Sequence, residues 1–166
     1  RYVNSSTKEQ EEKISFKSIE METAPASVLR IEVYEGKTLD EVAEQLNRSL
    51  GGILAGHGYT IASHSIDLGV DPYLAAAIMI HETGNGTSSL SINKNNGFGL
   101  NAVDSNPTQA ANWYPTFASS ILGYASKWIT YGYAHPRDWR YFGPQFGDKW
   151  IGMNVKYASD TYWSDL

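Results

Sequence analysis

The run Leu74-Ala75-Ala76-Ala77-Ile78-Met79-Ile80 has no polar side chain, and it ends on His81-Glu82-Thr83-Gly84. A helix with that pattern has no solvent face over two turns, so it is expected to be buried on most sides. Asp71 can accept from the first free N–H groups of such a helix, and Pro72 suits its first position. Gly84 and Gly86 then stop it. The rest of the chain has to be built around this helix, which delivers Glu82 to the point where the backbone leaves the core. A partly desolvated carboxyl there resists ionisation, making Glu82 a candidate general acid near neutral pH. Most glutamates are surface residues. Here, however, the helix dipole opposes an anion at the C-terminus. The small, hydrogen-bonding stretch from Thr83 to Ser89 also suits a cleft floor facing a polar ligand.

Around that helix the chain divides simply. Residues 1–26 are polar and mixed in charge, and read as an arm or linker ending at Ala24-Pro25-Ala26. Residues 27–166 read as one domain, a size at which a single core can be packed well. From Val28 to Tyr34 the side chains alternate, with Leu29, Ile31 and Val33 on one face, which predicts a half-buried strand. Thr38 and Glu41 have capping-box spacing, and Leu39, Val42, Leu46 and Leu50 share one helical face. A second helix is expected from about Ile53 to Leu68. Residues 84–115, rich in Asn, Gly and Ser, predict a loop-rich lobe with a small hairpin. Thr116 caps a helix carrying Phe117, Ile121, Tyr124 and Trp128 on one stripe. Residues 132–153 look irregular, and Asp160 is expected to cap a last helix.

Composition excludes several classes. The net charge is −5, against the basic patch a nucleic-acid partner would call for. With no cysteine, disulfides, thiol chemistry and thiolate metal sites are absent. No apolar run reaches the roughly 18 residues of a membrane-spanning helix. His81-Glu82-x-x-Asn85 lacks the second histidine of a zinc-protease motif, and His57 and His64 stand two turns apart, so neither metal nor cofactor is expected. Aromatics make up 13%, with eleven Tyr and five Trp, mostly after residue 112. That excess fits a chain that lays flat rings on sugar faces. The chain starts at Arg1 and shows no signal peptide, as expected of a processed or excised piece.

Four motifs in order carry a resemblance. They are His81-Glu82-Thr83-Gly84-Asn85-Gly86-Thr87-Ser88-Ser89-Leu90, Asn95-Asn96-Gly97-Phe98-Gly99-Leu100, Asp104-Ser105-Asn106-Pro107, and the closing segment from Gly152 to Trp163. Together they resemble the peptidoglycan N-acetylglucosaminidases of glycoside hydrolase family 73, over roughly residues 55 to 166. That family usually has a larger apolar residue where Gly97 stands. The resemblance implies a mostly α (α+β), lysozyme-like helical domain with a small loop or hairpin lobe beside the cleft. It also implies endo-hydrolysis of the β-1,4 glycan strands of bacterial peptidoglycan by a secreted or wall-associated protein, or by a phage lysin or tail component. Glu82 matches its catalytic acid, and Tyr157 matches a tyrosine beside the active site.

Glycoside hydrolysis needs a proton donor and something to stabilise positive charge at the sugar carbon. Between Glu82 and Asp138 the sole carboxylate is Asp104, which is equally good turn chemistry. If Asp104 stands far away, the substrate's own acetamide can serve instead. Thr87, Asn96 and Phe98, within the motifs, are expected to touch substrate, and Trp113, Tyr114 and Trp139 are candidate sugar platforms. A lytic transglycosylase or a muramidase would act on the same polymer, although transglycosylases usually follow the glutamate with Ser rather than Thr83. A non-catalytic wall-binding module would keep the cleft without the chemistry.

Overall fold

The computed structural model describes residues 30–102, 105–144, 150–160 and Trp163. The expected arm at 1–26 lies outside them. Helices α1 (Leu39–Asn47), α2 (Gly58–Asp67) and α3 (Pro72–Thr83) form one half of the core, with a single 3-10 turn at Gly52–Leu54 between the first two. Short helices α4 (Ser89–Lys94) and α5 (Pro107–Ala110) follow. Then comes α6 (Phe117–Gly123), which runs on as a π-helical stretch over Tyr124–Tyr133, and finally α7 (Asn154–Tyr157).

The starts of these helices are written in local chemistry. Thr38 accepts from Glu41 N while the Glu41 carboxylate takes Thr38 N, closing the expected capping box. Asp71 accepts from the backbone N–H of Tyr73 at 2.8 Å and of Leu74 at 3.3 Å. Thr116 accepts from Ser119 N. Each such cap stabilises its helix by about 0.5–2 kcal/mol. Helix α3 buries Ala75, Ala76, Ile78 and Met79 against Val42, Leu54, Ile61 and Ile121, all at most 4% exposed. Full burial of each larger aliphatic contributes about 1.5–3 kcal/mol.

The second helix starts later than its pattern suggests. Gly56 has φ +80°, which interrupts any helix begun at Ile53. Instead Asn47 accepts from Gly58 N at 2.8 Å and starts α2 there.

Two expected β elements are corrected. Residues 30–33 form no strand; Tyr34 and Lys37 make one isolated bridge. Ile31 and Val33 are 62% and 40% exposed, so the alternation has neither a partner strand nor a core beneath it. In the lobe after α3 no hairpin occurs among the described residues, and α4 and α5 take its place. Asn95 and Asn101 adopt left-handed backbone there and turn the chain without pairing it. The described chain is accordingly mostly helical, with no strand. Gly97 is buried: a Cβ on it would stand 2.7 Å from Met79 Cε and 2.9 Å from Phe117 Cε2. Those two side chains leave no room for a larger residue at this position. The Asp160 cap cannot be followed, because Thr161 and Tyr162 lie outside the described residues.

Candidate active site

The C-terminal end of α3 is held from three sides. Thr83 donates its hydroxyl to Met79 O at 2.5 Å and accepts from Gly86 N at 2.7 Å. Asn85 accepts from Gly51 N at 2.8 Å and donates to Ser49 O at 3.1 Å, tying the helix end to the α1–α2 connection. Glu82 therefore projects from a fixed backbone into a cleft of about 390 Å³.

One Glu82 oxygen, Oε1, accepts from Trp163 Nε1 at 3.0 Å. The other, Oε2, lies 2.9 Å from where a Cβ on Gly99 would stand, so the Gly99 backbone closes against it. Burial pushes the Glu82 carboxyl above the usual carboxylate range; the positive charge available at His81 and the Trp163 bond pull it partly back. Trp163 lies over the Tyr157 ring at 4.5 Å between centroids. Tyr157 donates to Phe98 O at 3.2 Å, and Phe98 is stacked on Tyr124 at 3.7 Å. Burial raises the Tyr157 hydroxyl well above its ordinary range, so it stays protonated. Trp128, Tyr133, Lys156 and an exposed carboxylate, Asp160, line the rest of the cleft.

The expected site residues separate accordingly. Glu82, Phe98 and Tyr157 converge on one cleft. Asp104 lies outside the described residues. Thr87 does not line the cleft; its hydroxyl donates to Gly84 O at 2.8 Å and closes the turn after α3. Asn96 is 1% exposed and donates to Leu100 O and Asn112 O while accepting from Phe98 N and Leu100 N. With every bond satisfied it shapes the Gly99 loop rather than touching a ligand. Trp113, 64% exposed, does not line the cleft, and Tyr114 accepts from Asn112 Nδ2 at 3.2 Å and packs against the core. Trp139 is 71% exposed beside the cleft. The residue that sequence reasoning missed is Trp163. Its place in the closing motif was the available signal.

Trp163→Phe keeps a ring against Tyr157 and deletes the bond to the charged form of Glu82. The expected result is a further rise in the Glu82 pKa, read as a movement of the alkaline limb of the rate profile to higher pH. A loss of about tenfold in kcat/KM should accompany it. An unmoved limb would separate Trp163 from the acid.

A helical scaffold with a carboxyl seated at the end of a buried helix is of the lysozyme-like class. S. aureus Autolysin E, solved as a catalytic mutant in complex with disaccharide NAG-NAM, superposes with a TM-score of 0.53 at 23% identity, over 77% of this chain and 62% of that one. The same protein in complex with muropeptide NAM-L-ALA-D-iGLU gives 0.53 at 24% identity, with the same coverage of both chains. A Streptococcus pneumoniae protein (serotype 4, strain ATCC BAA-334 / TIGR4) with the provisional name endo-beta-N-acetylglucosaminidase is 33% identical over 133 residues, 80% of this chain. This chain spans 19% of that relative's length. The family model described as Glucosaminidase, mannosyl-glycoprotein endo-beta-N-acetylglucosaminidase, matches residues 59–166, and the chain belongs to that family.

Proposed function

We propose that this chain is an endo-acting β-N-acetylglucosaminidase that hydrolyses the β-1,4 glycan strands of bacterial peptidoglycan, at or outside the wall. The observation that carries this reading is Glu82: a carboxyl with a raised pKa, fixed at the end of a buried helix and held by Trp163 in a cleft. It protonates the leaving oxygen of the scissile bond. Tyr157 commits its proton to Phe98 O and lines the cleft, so a lone pair of its oxygen is the acceptor it can offer an acetamide N–H. That would align the N-acetyl group for attack on its own sugar carbon. Asp104 is the alternative source of negative charge. Asp104→Asn decides between them: a fall in kcat of about 10²-fold gives the role to its carboxylate, and near wild-type activity leaves it to the acetamide. No helix among the described residues is long and apolar enough to cross a membrane.

The deciding experiment is product analysis. Purified walls digested with the protein, reduced with borohydride and examined by mass spectrometry should yield fragments ending in reduced N-acetylglucosamine. Reduced muramic acid would make the protein a muramidase, anhydro-muramyl ends a transglycosylase, and no release a binding module.

A further inference from the structure

Beyond Glu82 the cleft carries a cation that the hydrolytic chemistry does not use. Lys156 immediately precedes Tyr157, lines the same cleft and is exposed. Its backbone is fixed, since the Tyr133 hydroxyl donates to Lys156 O at 3.2 Å. Its ammonium lies 5.7 Å from the ring centroid of Trp139 and 5.4 Å from that of Phe142. Two rings at that range hold a cation in place by the attraction of their electron-rich faces. They also explain why a tryptophan 71% exposed stands beside the cleft.

The neighbouring cation is used differently. Arg140 makes a two-pronged pair with Asp138, at 2.8 Å and 3.0 Å, and packs over Trp128 and Tyr133. Its charge is spent within the protein. Lys156 forms no ion pair among the described residues. The cleft otherwise presents the acids Glu82 and Asp160 and the imidazole of His81, on a chain of net charge −5. Nothing in that general field draws in an anion, so an anionic group reaching this rim needs a specific positive partner.

From this arrangement we infer that Lys156, seated between Trp139 and Phe142, binds a carboxylate carried by a peptide substituent on the glycan. It thereby makes the enzyme prefer peptide-bearing strands over neutral ones. The inference rests on the proposed action on peptidoglycan, whose strands carry such peptides, whereas uniform N-acetylglucosamine oligomers carry no charge. The rings can flank the aliphatic part of the substituent while the ammonium meets its carboxylate.

The test compares two substrates of equal sugar length: a peptide-bearing glycan oligomer with free carboxylates and an uncharged N-acetylglucosamine oligomer. The readout is the ratio of their kcat/KM values in wild type, Lys156→Met and Lys156→Arg. A partly exposed ion pair predicts a fall in that ratio of about three- to fivefold in Lys156→Met, mainly through KM, and retention in Lys156→Arg. The wild-type preference should weaken as salt is added, while that of Lys156→Met should not respond. A structural role for the side chain would lower both rates together and leave the salt response alone. Affinity for the two oligomers is measured as well in Glu82→Gln and in Glu82→Gln combined with Lys156→Met. Absence of hydrolysis by wild type would then overturn the proposed activity, while the binding ratio still decides the role of Lys156. An unchanged ratio in both assays overturns the inference.

Discussion

Glu82→Gln is expected to lower hydrolysis of purified walls by roughly 10²–10⁴-fold while leaving the protein folded. The amide keeps the shape of the carboxyl and can still accept from Trp163, but it has no proton to give the leaving oxygen. Stability should move the other way. The Glu82 pKa lies above its ordinary value of 4.5, so the folded state holds the proton more tightly than the unfolded chain. As pH rises from that value through the folded pKa, wild type loses stability relative to Glu82→Gln, and above the folded pKa the deficit is constant. At pH 7 the variant should melt at or above the wild-type temperature. The wild-type rate should fall over the pH interval in which Glu82 ionises, again above 4.5. More than a tenth of wild-type activity in the variant would remove Glu82 from the mechanism.

Gly99→Ala should be the most damaging change at a residue without a functional group. Its φ of +61° disfavours any side chain, and the new Cβ would stand 2.9 Å from Glu82 Oε2. The backbone conformation alone costs about 1–2 kcal/mol, or roughly 2–8 °C in melting temperature. Displacing the carboxyl by about an ångström should add a loss in kcat of roughly 10²-fold. Gly56→Ala is the control: φ is +80°, and a Cβ there meets nothing within 4 Å. It should lose comparable stability and keep its activity. Equal activity in the two variants would mean that Gly99 does not position the acid.

What could be read from the chain was what its local chemistry encodes. The caps at Thr38, Asp71 and Thr116 act within one helical turn, and the burial of α3 follows from seven consecutive apolar side chains. Alternation at 28–34 misled because a strand needs a partner, and nothing local says whether one exists. The π-helical continuation over Tyr124–Tyr133 was equally hidden, its stripe of Phe117, Ile121 and Tyr124 reading as ordinary helix. Asn96 and Thr87 looked like ligand contacts because polar residues in a motif do not reveal where their hydrogen bonds go. Both are consumed internally. Glu82 stood out as a candidate because a rigid local element presents it, whereas the approach of Trp163 depends on the tertiary fold.

The Glu82–Trp163 bond joins residues 81 positions apart, and so sets an order in time. Helices α1 to α3 and the Asn85 clamp lie in the first half of the chain, with the acid on its helix, but their core is completed by Ile121 of α6. The indole that steadies it and the tyrosine packed against that indole are synthesised well after the acid. The carboxyl of Glu82 thus gains its hydrogen-bond partner only when both halves of the chain have come together, so the site is completed by the tertiary fold rather than by any one helix.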